Sequence, residues 1–456
     1  MLRREQREQL QAVARGEGVN AVHALCIQGD AAWELAVDAC PDRSGFDPRV
    51  LYPLWSATKP FTAMLVASLA AAGELGFDAP INTIIAVGPG LLSNVTIRDL
   101  LSHQTALPPL IGDAWTSLAE RIAAAAGATA RSAGPLLNYQ SFHYLLVGYL
   151  AQEATRTPFE ALLARYILHP AGAHGASVRP AGLVPEGRLI QPTGTVPLPR
   201  EYLCENAAAH GLHLTPEAMA ALLRWTLQTV PQLDAATKFL TPRATAAGSL
   251  LFRVSHPFVD EVSYTSGWWR EVYAGHVFYH HPGLGSGGES AIGFCPELDA
   301  AYVIFSDTQH GPRAQTNAIQ CTRWAIYAHL CGTSPPSFPA AAKGRASLMR
   351  SVFAGSSGSA RTALAADEAR ALCGLYAAGD RHAIEIGIEN GQAYVDFSDP
   401  RLKRRWLFGS TEDCVGRLLP RQEIDITGPA TPSIVFESAD TARTVAVQGR
   451  RYDRHA

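Results

Sequence analysis

The chain has 456 residues, of which 47% are hydrophobic, and a formal net charge of −3. That is enough apolar material for a large core plus a second, smaller domain. A near-neutral balance with no basic cluster gives no indication of a nucleic-acid partner. The eight cysteines form no Cys-x-x-Cys pair and no Cys/His spacing that suits zinc, so they read as reduced thiols of an intracellular protein, and neither a metal nor a cofactor is expected. The first ten residues, Met1 to Leu10, contain no apolar core of a secretion signal, and no run of some 18 apolar residues follows. A soluble, cytoplasmic protein without membrane contact is expected.

In chain order, residues 1–18 predict a charged helix that stops at Gly16 or Gly18. Ala21 to Ala36 alternates and is interrupted by Gly29-Asp30, a hairpin signal. A buried helix then starts near Ser56: Phe61, Met64, Leu65, Leu69 and Ala72 follow helical spacing, and Gly73 is its stop. Pro60 is tolerable only in a first turn, which puts Ser56 at the N-terminus of this helix. Thr96 with Asp99 predicts a capping box. Apolar residues at helical spacing over 141–168, a second start at Pro158, and the Thr215-Pro216-Glu217 start complete the central helices. From Val262 to Asp307 the pattern turns to strands, over Tyr264–Trp269, Val272–Tyr279, Ser290–Phe294 and Ala301–Ser306, before a last helix through Trp324. Helices enclosed between early and late strands predict an α+β domain over 1–332, with a sheet that recruits both ends of the segment. Residues 333–366 have the Pro, Gly and Ser content of a linker, and 367–456 alternate as a small, barrel-like antiparallel β-domain.

The chemistry centres on Ser56 and Lys59. Residues three apart share a helix face, and only one of the chain's four lysines follows a serine at that spacing. Serine needs a base to become a nucleophile, and a buried lysine can serve because desolvation disfavours its charge. Tyr139 is the candidate to share the proton; beside a lysine its phenol gains stability as phenolate and is expected to acidify. His281, in His280-His281-Pro282-Gly283-Leu284-Gly285, ends an apparent strand, and Gly283 would let backbone approach a ligand. The amides of Ser56 and Leu284 are the candidate oxyanion hole. Trp268 and Trp269 are candidates to line an acyl pocket, against the alternative of ordinary core packing.

Together these motifs resemble the serine β-lactamase and penicillin-binding-protein superfamily on its class C side, which includes family VIII esterases, D-aminopeptidases and penicillin-binding-protein-type thioesterases. The family's Ser-x-x-Lys falls on Ser56 and Lys59, its Tyr-x-Asn on Tyr139, and its Lys/His-x-Gly on His281-Pro282-Gly283. Leu100 to Pro108 and Gly211 to Glu217 are similar to further family segments, so the resemblance covers about residues 20–330 in order. It implies a β-lactamase/transpeptidase-like fold, an antiparallel sheet with helices on both sides, and a Ser56 acyl-enzyme. One departure is that Ser141 stands where the family asparagine helps hold the lysine and the substrate amide. The small C-terminal domain is similar to the lipocalin-like domain of the thioesterase branch. The implied function is acyl hydrolysis or transfer, leaning to a thioesterase that cyclises a peptidyl thioester brought by a carrier protein. The alternatives are an esterase or D-amino-acid amidase acting on small substrates, and a non-catalytic scaffold. The oligomeric state has no signature in the sequence.

Overall fold

The computed structural model describes residues 4–38, 45–87, 92, 94–107, 118–127, 137–178, 187–191, 194–198, 207–245, 261–285, 288–309, 317–335, 337–338 and a set of strands between 374 and 454. They divide into two compact units, one built from the residues up to 338 and one from the later strands.

In the first unit, α1 (Arg4–Glu17) ends at Gly18, whose φ of 74° only glycine adopts without strain. Strands β1 (Ala21–Gln28) and β2 (Ala31–Asp38) form the expected hairpin around Gly29-Asp30. The short β3 (Tyr52–Pro53) and a 3-10 turn (Trp55–Thr58) lead into α2 (Lys59–Ala71). Lys59 to Ala67 and Leu69 are all buried, so α2 is an interior helix, apolar on every side except where it carries Lys59 and Thr62. The sequence had Ser56 starting this helix; it lies instead in the 3-10 turn ahead of it, because Pro60 has to fall in the first α-helical turn. The capping box of α3 (Ile97–Leu101) forms, with the Asp99 amide donating to Thr96 Oγ1 at 3.1 Å. There follow α4 (Leu118–Gly127), α5 (Ser141–Thr155), α6 (Phe159–Leu163) with a π-helical turn at Ala164–Leu168, β4 (Ala176–Ser177), β5 (Gly187–Gln191), β6 (Gly194–Leu198), α7 (Ala207–His210), β7 (His213–Leu214) and α8 (Pro216–Thr237). Strands β8 (Ala244–Thr245), β9 (Glu261–Tyr264), β10 (Trp269–Tyr273), β11 (His276–Gly285), β12 (Gly288–Cys295), β13 (Ala300–Ser306) and β14 (Thr308–Gln309), then α9 (Asn317–Leu330), complete the unit.

Eight strands form one antiparallel sheet in the order β2-β1-β13-β12-β11-β10-β9-β8. The first and last long strands of the unit are therefore neighbours, with Val22 opposite Ser306. Because side chains alternate along a strand, each central strand feeds two cores. Ala301, Val303 and Phe305 of β13 join α2, α5 and α8, whereas Ala300, Tyr302 and Ile304 join α1 and α9. This is why these strands read as continuously apolar. The expected β-lactamase/transpeptidase-like α+β architecture is present, with helices on both faces.

Two strand assignments differ from the sequence reading. Tyr264–Trp269 is a turn between β9 and β10, with Gly267 at φ 88° packed against Ala63. Val272–Tyr279 is a hairpin whose two turn residues, Ala274 and Gly275, have φ of 50° and 83°. Both φ values are positive, as in the tight turns that match strand twist. β-Forming residues on either side masked both breaks. His281 accordingly sits inside β11 and does not end it, and Pro282 to Gly285 continue the strand.

In the second unit eight strands, from Gly374–Ala377 to Arg450–Arg454, close into an antiparallel barrel, the first pairing with the last through Tyr376 and Arg454. The predicted linker 333–366 lies outside the described residues except for 333–335, 337 and 338. Among the described residues no helix is long and apolar enough to cross a membrane.

The Ser56 turn is held by Trp55. Its φ of 45° is unusual for a bulky residue, and its buried indole stacks on Phe305 with ring centroids 5.8 Å apart. A methyl group at Gly285 or Gly288 would overlap that indole. Gly285→Ala is therefore expected to destabilise the unit by about 1–3 kcal/mol, as overpacking does. Thermal unfolding of the variant checks this: an unchanged midpoint contradicts the packing role.

Candidate active site

The Ser56 turn is laced into its surroundings on both sides. The Leu54 amide donates to Leu212 O at 2.8 Å, the Leu212 amide to Thr58 Oγ1 at 3.0 Å, and Ser290 Oγ of β12 to Leu54 O at 2.7 Å. A side chain at Gly283 would collide with Leu54 O and Ser290 Oγ, so this glycine lets β11 approach the turn closely. Ser56 itself is half-buried at the surface of this frame.

Lys59 is completely buried. Its Nζ lies 3.0 Å from Ser56 Oγ, 3.2 Å from Ala209 O, 3.4 Å from Ser141 Oγ and 3.4 Å from His210 Nε2. Among the described residues no carboxylate pairs with it. Burial alone pushes its pKa well below the ordinary lysine value. Burial thus favours the neutral form of Lys59, the form that can act as a base, and places it against the Ser56 hydroxyl.

Tyr139 lies just ahead of α5, with its ring centroid 5.2 Å from Lys59 Nζ. The phenol was expected to acidify; instead burial raises its pKa above the ordinary value, and a hydrogen bond with Ser56 opposes this only in part. Tyr139 therefore rests as a neutral hydroxyl that contacts Ser56.

Adjacent histidines on β11 do different things because they face opposite sides of the sheet. His280 enters a buried cluster with Glu271 and Arg323, in which Arg323 Nη1 reaches the Glu271 oxygens at 2.7 and 2.9 Å. His281 faces the site, with its ring 5.9 Å from that of Tyr139. Its Nδ1 donates to Pro282 O at 2.7 Å, which leaves the buried Nε2 as an unshared acceptor. Burial pushes its pKa well down, so the ring is neutral.

Trp268 and Trp269 separate. Trp268 is buried against Phe61 and Phe294 and belongs to the core. Trp269 packs with Tyr264, their ring centroids 4.3 Å apart, beside Tyr139. Leu284 follows the end of the β10 pairing, which stops at His280, so no β10 residue faces it. The structure thus brings Ser56, Lys59, Tyr139, Ser141 and His281 together, with Trp269 alongside.

Sequence reasoning missed His210 and the pair His103 and His143. His210 stands on α7, which is pinned to α2 by Thr62 Oγ1 donating to Ala208 O at 2.6 Å. Its only sequence signal is a polar residue after three alanines. His103 Nδ1 lies 2.9 Å from His143 Nδ1, and the His103 ring is 4.5 Å from that of Tyr139. The Gln140 amide donates to His103 Nδ1 at 3.4 Å, which makes this nitrogen the acceptor and His143 the donor.

A lysine whose pKa falls on folding costs stability below its ordinary pKa, since the unfolded chain binds the extra proton. Stability from this group rises with pH between the lowered value and 10.5. Lys59→Met is expected to raise the unfolding midpoint at pH 7 and to flatten the rise of stability with pH across that window. Denaturant unfolding of both chains at several pH values checks it; a less stable variant at pH 7 goes against an uncharged, desolvated Lys59.

A profile of the Beta-lactamase family matches residues 19–320. No curated protein sequence matches the chain. Among solved structures, the octameric penicillin-binding protein homologue from Pyrococcus abyssi superposes with a TM-score of 0.62 at 17% identity, covering 98% of this chain and 99% of that one. SurE in complex with D-Leu gives 0.53 at 18%, covering 99% and 100%. D-amino acid amidase from Ochrobactrum anthropi SV3 gives 0.56 at 18%, covering 71% and 99%. At these identities the likeness is one of fold. The family match, which spans every strand of the large sheet and the Ser56 frame, carries the assignment: this chain belongs to the Beta-lactamase family.

Proposed function

We propose that the protein is a serine acyl hydrolase or acyltransferase that works through an ester on Ser56. The observation that carries this is the uncharged, buried Lys59 amine 3.0 Å from Ser56 Oγ. Lys59 takes the Ser56 proton as Oγ attacks an acyl carbonyl. The developing oxyanion is held by the amides of Ser56 and Leu284, each such donor contributing about 3–4 kcal/mol. Tyr139, protonated at rest, gives its proton to the leaving group and recovers one from Lys59. His281 does not donate to the leaving group in the tautomer fixed by Pro282 O; its Nε2 accepts a hydrogen bond from Tyr139 or from the substrate.

The substrate we infer is neutral around the reacting carbonyl. His281, Tyr264 and Trp269 offer no positive charge for a carboxylate, and Lys59 is committed to Ser56. Within this class we favour a peptidyl thioester delivered by a carrier protein and released by attack of an internal amine. What supports it is the resemblance of the Ser56/Lys59, Tyr139 and His281 motifs to the thioesterase branch, together with the eight-stranded barrel of the second unit. A D-amino-acid amidase or esterase is the second reading, supported by likeness to a D-stereospecific amidohydrolase and a D-amino acid amidase over about 70% of the chain.

Incubation with a fluorophosphonate is expected to add one phosphonyl group to Ser56 by intact mass, and none in Ser56→Ala; an unmodified parent chain leaves the scaffold reading. Tyr139→Phe is expected to lower turnover of a p-nitrophenyl ester by about 10²- to 10⁴-fold. A peptidyl thioester ending in a D-residue is expected to give a cyclic peptide; linear acid alone favours the hydrolase.

A further inference from the structure

The lysine of this site has an unusual set of neighbours. A neutral amine has two N–H groups and one lone pair. Ala209 O, a pure acceptor at 3.2 Å, takes one N–H. The second points to Ser141 Oγ at 3.4 Å, whose own hydroxyl is donated to His210 Nε2 2.9 Å away. That leaves the lone pair for the Ser56 hydroxyl. Where the family carries an asparagine, this chain has a serine too short to hold the amine alone, and the imidazole of His210 fills the remaining space.

We propose that His210 is a positioning residue for Lys59 that acts through Ser141: its Nε2 accepts the Ser141 hydroxyl at 2.9 Å, which turns a Ser141 lone pair toward the amine and holds Nζ toward Ser56. The role rests on the Ser56 acyl-enzyme reading. After Lys59 takes the Ser56 proton it has three N–H groups: Ala209 O and the Ser141 Oγ oriented by His210 accept two, and the proton just received stays directed at Ser56 Oγ. No bond to carbon changes in this step; one proton moves from Oγ to Nζ. His210 can accept only while neutral, and its burial, with Lys59 and His281 near by, keeps it so. Among the described residues, the other titratable groups facing Lys59 are Tyr139, Tyr144 with its ring centroid 5.8 Å from Nζ, His103, His143 and His281; burial favours the uncharged form of each, and none is a carboxylate.

The test is the pH dependence of Ser56 phosphonylation by a fluorophosphonate in the full chain, for the parent, His210→Leu and His210→Gln. Leucine keeps volume without an acceptor; glutamine restores an acceptor near the position of Nε2. His210→Leu is expected to react about 10- to 100-fold more slowly, the effect of losing one hydrogen bond to a charged group. Its acid limb is expected at lower pH, because the Ser141 lone pair is no longer held toward the ammonium, which releases its proton more readily. His210→Gln is expected to recover most of the rate and the parent limb. Leucine and glutamine chains that both fold, by circular dichroism, and react alike at every pH overturn the role and leave the Ser56 reading intact. A parent chain that takes no label overturns both. If His210→Leu does not fold, His210→Gln against His210→Met decides on the same criterion.

Discussion

The site depends on the cost of burying a charge. Lys59 sits on an interior helix, completely enclosed, without a carboxylate partner among the described residues. Burial disfavours the ammonium and so pushes the Lys59 pKa well below its ordinary value, toward the form that can take the Ser56 proton. The same burial keeps the Tyr139 phenol protonated and the His281 and His210 rings neutral.

The fold supplies that burial by placing the Ser56 turn between two rigid partners. On one side β11 and β12 come close because Gly283, Gly285 and Gly288 leave room for Leu54 O and the Trp55 indole. On the other, α7 delivers Ala209 O and His210 to the amine through a contact with α2. The positive φ of Trp55 is the conformational cost of turning the chain so that Ser56 faces outward while Lys59 faces inward. The strands that make the frame are apolar on both faces because each supports a helical layer on either side.

Much of this was legible in the sequence, and the exceptions have physical causes. The i, i+3 relation of Ser56 and Lys59 is local, so it survives a reading without coordinates, as do the Thr96 cap and the Gly18 and Gly73 stops. The turns at Gly267 and Ala274-Gly275 were hidden because their flanks are strong β-formers, and periodicity over a few residues does not distinguish one strand from a hairpin. The opposite fates of His280 and His281 needed the register of β11. His210 was invisible for a different reason: it is 151 residues from Lys59 in sequence, and only the packing of α7 on α2 joins them. The error over Tyr139 was one of sign, since the burial of its own phenol outweighs the hydrogen bond with Ser56.

The most direct test of this account is the burst of p-nitrophenol released in the first turnover of a p-nitrophenyl ester, followed from pH 5 to 11. Stoichiometric release whose rate reaches its plateau well below pH 10.5 is the expected result, since burial holds the Lys59 pKa well below its ordinary value. A rate that keeps climbing toward 10.5, the ordinary pKa of an exposed lysine, would contradict it.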